Sequence, residues 1–221
     1  MDFDGIFIKF GKENHIKDLQ KNGIVYCSTI QSFAKMDDFV QGDELEKAWL
    51  IDNSKSSLLQ IKPIDAPDSK FITIKLNKLI GNCEGPFGNL FCLYSLNMLE
   101  MRIDEKRLLP PKLLKKYDSY LVIKNIDAFL ERLHVALDAK KLCWEHHPIE
   151  YKDFSSIKSE KTIFQKDKLY EYQQEFRLFI HNNEEKEIIL ELGDLSDISF
   201  IESTKNSAEK YFIRASQTDT P

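Results

Sequence analysis

Between Tyr170 and Ile180 the sequence reads YEYQQEFRLFI, and three of its side chains have the chemistry of a site. Gln173, Glu175 and Arg177 are spaced by two, the period at which side chains share one face of a β-strand. Read as a strand, the stretch divides in two. Gln174, Phe176, Leu178 and Ile180 point one way, and Gln173, Glu175, Arg177, Phe179 and His181 point the other. The first set is apolar after Gln174, while the second lines up an amide, a carboxylate and a guanidinium. A carboxylate in such a row has two uses. It can form an ion pair with Arg177 or a lysine on an exposed strand face, or it can be held rigidly where positive charge develops during a reaction.

Other constellations in the chain are less specific. The chain has no GxGxxG, no GxxxxGK[ST], no GxSxG and no HExxH. GNCEGPFG (Gly81–Gly88) lacks the lysine of a phosphate loop and reads as a turn. CWEHHPIEY gathers Cys143, Glu145, His146 and His147. Adjacent histidines on a strand face opposite ways and no second cluster completes a ligand set, so structural or surface histidine is the expectation and no metal is assigned. Asp37, Asp38, Asp43 and Glu46 in MDDFVQGDELE form a carboxylate group that a metal-dependent nuclease could use, kept as an alternative.

The elements that must position these residues follow from periodicity. GIFIKFG (Gly5–Gly11) alternates as a strand, with Ile6, Ile8 and Phe10 opposite Phe7 and Lys9. A helix follows, with Ile16, Leu19 and Gln20 on one face and Gly23 as its stop. IVYCST (Ile24–Thr29) is a second strand. A helix with Phe33 and Met36 comes next, then strands at Leu58–Ile61, Phe71–Leu76, Leu90–Leu96, Ser119–Lys124 and Pro148–Asp153. Ile126, Phe129, Leu130, Leu133 and Leu137 stripe the clearest helix. After the strand at 170–180 come EIILELG, DISFIES and a short element at KYFIR. About nine strands and four or five helices, without regular alternation, predict a single α+β domain over residues 1–214. Its sheet should be mostly antiparallel or split, with a disordered tail at 215–221.

The 221 residues suffice to bury a core, and a 42% hydrophobic, 30% charged composition with 15 phenylalanines excludes a disordered chain. No apolar run approaches the ~18 residues of a membrane span. The N-terminal MDFDGIF has no basic stretch before an apolar one, so no secretory signal is expected and the expected location is cytoplasmic. Cys27, Cys83, Cys92 and Cys143 show no CxxC pair and are expected to be reduced. With 36 acidic against 31 basic residues, the chain is not one that coats nucleic acid by charge alone. Lysines cluster at Pro110–Tyr117 and Lys158–Lys168, where solvated surface positions are expected.

FIKF and HIKDLQKNGIVYCST near the start, with YQQEFR far downstream, resemble the ADP-ribosyltransferase fold. More closely, they are similar to bacterial abortive-infection and toxin–antitoxin proteins of phage defence. The family carries Arg or His on its first strand, Ser-Thr-Ser or Tyr on its second and Gln/Glu-x-Glu on a late one. Gln173-Gln174-Glu175 matches the last motif and Tyr26-Cys27-Ser28-Thr29 the second. The first departs from the pattern, with Lys9 or Phe10 in place of Arg or His. The resemblance covers about the first forty residues and the strand at 170–181. It implies an ADP-ribosyltransferase-like split sheet with flanking helices, and a toxin that uses NAD as co-substrate to modify an intracellular nucleic acid or protein. An antitoxin or chaperone partner is implied too. By the same resemblance Glu175 is catalytic, Gln173 orients the acceptor, and Lys9, Phe10, Tyr26, Ser28 and Thr29 bind NAD. Arg177 supports the site, pairing with Glu175 or with Asp43 and Glu46. A non-catalytic binding or regulatory module on the same fold is the alternative that the departure at Lys9 supports.

Overall fold

Alternating apolar residues in Gly5–Gly11 make a strand whose two faces enter different cores. Phe7 packs on one side of the sheet, and Ile8 and Phe10 on the other. The computed structural model describes residues 5–35, 45–55, 57–65, 68–82, 88–97, 106–155, 158–206 and 212–214. In chain order its strands are β1 (Gly5–Gly11), β2 (Ile24–Thr29), β3 (Ala48–Asp52), β4 (Leu58–Ile61), β5 (Ile72–Lys75) and β6 (Leu79–Asn82). Then come β7 (Asn89–Asn97), β8 (Lys106–Leu108), β9 (Ser119–Ile123), β10 (Trp144–Pro148), β11 (Glu150–Lys152) and β12 (Lys158–Glu160). The last are β13 (Gln165–Asp167), β14 (Glu175–Ile180), β15 (Ile188–Glu191), β16 (Ser199–Ser203) and β17 (Phe212–Arg214). The α-helices are α1 (Glu13–Asn22), α2 (Ile30–Lys35), α3 (Pro111–Lys116) and α4 (Ile126–Ala139).

The central sheet runs β10-β14-β7-β1-β9-β16, with every neighbour antiparallel. Its distinctive feature is at β7. One edge of β7 pairs with β14 from Asn89 to Tyr94. Along the other edge, β1 takes Tyr94–Asn97 while β2 takes only Asn89 and Leu90. β1 and β2 therefore diverge at Phe91–Leu93 and the sheet splits there. β15 extends the β2 side through Ile188–Glu191. The molecule is thus mixed α and β, with antiparallel pairing everywhere among the described strands except between β11 and β13.

Two helices cover one face of the sheet. Ile16 and Leu19 of α1 and Ile126, Phe129, Leu133 and Leu137 of α4 join Phe91, Leu93, Phe176 and Leu178 in the larger core. Burying each such side chain stabilises the fold by about 1.5–3 kcal/mol. Asn125 caps α4, its side chain accepting from the Ala128 N–H at 3.0 Å. α1 ends at Gly23, whose φ of 64° is the left-handed cap conformation. A Cβ there would lie 2.2 Å from the Gly193 carbonyl oxygen, so no other residue fits. On the opposite face, Ile8, Phe10, Tyr94, Leu96, Tyr120 and Val122 pack with Leu113 and Leu114 of α3.

Several expectations need correction. Tyr170–Ile180 is not one strand. Lys168–Gln173 forms a 3-10 helix capped by the Asp167 side chain, and Gln174 turns the chain at a φ of 38° before β14 begins at Glu175. Neither face of β14 is exposed, because all six of its residues are buried. The segment expected to be a strand over Pro148–Asp153 breaks at Ile149, where the backbone N–H turns to the Glu175 carbonyl at 2.8 Å. Seventeen strands occur among the described residues rather than about nine, since three-residue strands such as β8, β11 and β13 are too short to show alternation. Asp37, Asp38, Asp43, Met36, Cys83 and the tail at 215–221 lie outside the described residues.

Candidate functional site

The split in the sheet opens into a cavity of about 950 Å³. Its floor is Phe91–Leu93 of β7, and its walls carry Lys9 of β1, Tyr26 and Ser28 of β2, and Glu175 and Arg177 of β14. Gln173, at the end of the 3-10 helix, reaches the same cavity, as does Phe10. Thr29, expected beside NAD, is not among the lining residues. It is buried, and its hydroxyl is 2.8 Å from that of Ser32 and accepts the Ser32 N–H at 3.2 Å, which secures the start of α2. Tyr26 is 50% exposed at the cavity wall, and Ser28 is half-buried.

Glu175 is the centre of a buried charge network. One carboxylate oxygen accepts from Arg177 Nε at 2.7 Å, and the other accepts from Lys166 Nζ at 2.7 Å. Lys166 also donates to Gln173 Oε1 at 2.9 Å. Arg177 is 1% exposed, and its Nη1 donates to Glu46 and to the Ile163 carbonyl. Two carboxylates and two cations therefore balance inside the wall. The Glu175 backbone N–H donates to the Tyr151 hydroxyl at 2.9 Å.

The charges set the protonation. Burial works against the ionised Glu175, but Arg177 and Lys166 outweigh it and hold the carboxyl well below the usual carboxylate range. Burial likewise opposes charge on Lys166 and Arg177, yet Glu175 and Glu46 raise both above their ordinary values. Cys92 is half-buried near Glu175, and desolvation with the nearby carboxylate pushes its thiol up to about 12.

Lys9 is arranged differently. Its ammonium donates to the Cys92 carbonyl at 2.8 Å, on the β7 edge left bare by the split, and lies 4.3 Å from the centre of the Phe91 ring. Burial lowers its pKa, offset in part by Cys92, Glu175 and Cys27. Around the cavity stand five basic side chains, Lys9, Lys12, Lys116, Lys166 and Arg177, against the acidic Asp18, Glu46 and Glu175. In a chain of net charge −5, this is a local reversal of sign.

Sequence reasoning missed Lys166. It stands in a lysine-rich run expected to be solvated, but Lys161 and Lys166 are both buried. The parallel pairing of β13 with β11, Tyr151 opposite Lys166, carries it inward. Nothing in the local sequence marks this, because β12, which pairs with β3, lies between the two paired strands. Arg177 reaches both Glu175 and Glu46. Of the carboxylates weighed for a nuclease, Glu46 is the one described, and Arg177 occupies it. Among the described residues no His, Cys, Asp and Glu group suited to a metal ion is found, and no helix is long and apolar enough to cross a membrane. No family model, curated protein or solved structure matches the chain.

Proposed function

We infer that the chain is an NAD-dependent ADP-ribosyltransferase of toxin or phage-defence type, built on an ADP-ribosyltransferase-like split sheet. Its acceptor is an intracellular macromolecule, nucleic acid or protein, and a neutralising antitoxin or chaperone partner goes with that role. The reading rests on one observation: Glu175, Gln173, Tyr26, Ser28 and Lys9 line a single cleft at the split of the sheet. The cleft volume is within the range of about 300–1,000 Å³ for small-molecule sites. Its excess of basic side chains suits the diphosphate of a dinucleotide.

The chemistry needs a carboxylate that is already ionised. Nicotinamide leaves with the bonding pair as the ribose C1′–N bond breaks, and positive charge develops on the ribose. Glu175, held ionised, stabilises that charge. The acceptor then adds to C1′ and releases its proton to solvent. Tyr26 offers an exposed ring for stacking the nicotinamide, Lys9 a point charge for the diphosphate, and Gln173 an amide to orient the acceptor.

A second reading has its own observation. Both Glu175 oxygens are already engaged, by Lys166 and Arg177, as they would be in a lock that holds the sheet of a binding or regulatory module. Inducible expression in a bacterial host separates the two. The transferase reading expects growth arrest that Glu175→Gln abolishes, Tyr26→Ala weakens and Asp43→Ala retains. Arrest that survives Glu175→Gln in a folded protein removes it.

A further inference from the structure

The lysines of PPKLLKKY are exposed, as their run suggests, but they do not stand alone. α3 buries Leu113 and Leu114 and leaves Lys112, Lys115 and Lys116 at the surface. Lys115 and Lys116 line a second hollow, of about 420 Å³. Lys12, at the entry to α1, and Lys205, in the 3-10 turn Thr204–Asn206, line it too. Four ammonium groups from three elements distant in sequence thus converge. Asp118 is the one carboxylate lining the hollow among the described residues. Glu13, which also senses Lys205, is already taken by Lys17 at 2.5 Å. Acidic side chains are plentiful in a chain of net charge −5, so a hollow that gathers like charge without them is fitted to an anion from outside.

The hollow opens toward the cleft, since Lys12, Lys116 and Tyr117 line both. In the first turn of α3 the Lys112 ammonium lies 4.3 Å from the centre of the Tyr172 ring, and Tyr172 adjoins Gln173. A basic tract therefore runs from Lys205 along α3 to Gln173, with Tyr117 and Tyr172 set among its lysines. Cations that follow a backbone and aromatic rings that meet bases are the two parts of a single-strand binding site. An acidic protein segment would answer the charge but not the rings. We propose that this tract holds a single-stranded nucleic acid, its phosphates on Lys12, Lys115, Lys116 and Lys205, and leads it into the cleft. The strand is single because a base stacked in a duplex is out of reach of a recessed site. The inference rests on the transferase reading in one respect, that this strand is the acceptor; the binding does not depend on it.

Fluorescence anisotropy with a short labelled oligonucleotide, single-stranded RNA and DNA in turn, tests the proposal. The wild type is expected to bind in the micromolar range at low salt. Its log affinity should fall against log salt with a slope of about −2 to −3, as three or four phosphate contacts require. Lys115 and Lys205 line the hollow and not the cleft, and Lys115→Glu/Lys205→Glu is expected to weaken binding about tenfold or more. Lys140→Glu/Lys141→Glu makes the same change of charge at the end of α4, on the other face of the sheet, and should stay within about twofold of wild type. Absence of binding to either oligonucleotide overturns the proposal. So does equal loss in the two double variants, or equal affinity for polyglutamate. Nicotinamide release from NAD keeps the two readings apart. Release without oligonucleotide binding removes the tract alone, whereas binding without release removes the transferase and with it the strand's role as acceptor.

Discussion

Lys166 Nζ and Glu175 Oε2 meet at 2.7 Å inside the wall of the cleft, both buried, and the same ammonium holds Gln173 at 2.9 Å. A lysine from β13 thus fixes the two side chains that the motif Gln-x-Glu singles out. The αL turn at Gln174 keeps those two residues off a common strand, so Lys166 makes the contact that strand geometry does not.

Replacing Lys166 by Met leaves the Glu175 charge half-compensated in a buried site. The expected cost is about 3–5 kcal/mol, a fall in melting temperature on the order of 10 °C for a chain of this size. Thermal unfolding followed by circular dichroism measures it. A variant that melts with the wild type would show that the pair contributes nothing to the fold.

Acid should destabilise the chain in a way traceable to Glu175. Its carboxyl is lowered from 4.5 in the folded state, so the folded chain binds fewer protons than the unfolded chain. That contribution is complete above the unfolded value and is lost as pH falls from 4.5 toward the folded value. Asp52, held at about 2 by Ser54 and Ser57, has the same sign below its unfolded 3.8. The raised Lys166 and Arg177 act oppositely, losing their contribution only as pH rises beyond their ordinary values. Urea unfolding between pH 7 and 3 should show stability falling below pH 4.5, with a shallower fall in Glu175→Gln. An unchanged slope in that variant would place the acid sensitivity elsewhere.

Gly23→Ala should destabilise by about 1–3 kcal/mol, through a positive φ and a Cβ driven against the Gly193 carbonyl. Gly193→Ala has nothing within 4 Å of its new Cβ, although its φ of 76° still disfavours a side chain. The melting temperature of Gly23→Ala is therefore expected to be the lower of the two.

What the sequence revealed and what it hid have physical causes. β1, α1 and β2 were legible because Phe7, Ile8, Phe10, Ile16 and Leu19 keep a clean period and Gly23 ends the helix. The α4 stripe was legible for the same reason. The split itself depends on which strands pair with β7, a long-range fact with no local signature. The polar row of β14 looked solvent-facing because its compensating charges, Glu46 and Lys166, come from elements distant in sequence. Thr29 shares a motif with Tyr26 and Ser28, but the chain enters α2 at the next residue and turns its hydroxyl to Ser32.

Lys9 should act on binding rather than chemistry. With its ammonium on the bare β7 edge, Lys9→Met is expected to raise KM for NAD severalfold and leave kcat within about twofold, the signature of lost uniform binding. Steady-state nicotinamide release measures both. A fall in kcat alone would move Lys9 into the chemical step.

The most direct test uses purified wild type, Glu175→Gln and Tyr26→Ala, each shown to be folded. Each is incubated with bacterial extract and NAD labelled in its ADP-ribose half, with nuclease and protease arms. The expected result is release of nicotinamide and transfer of label to a polymer, lost in Glu175→Gln and reduced in Tyr26→Ala. Folded wild type that releases no nicotinamide, or transfer undiminished in Glu175→Gln, would contradict the account.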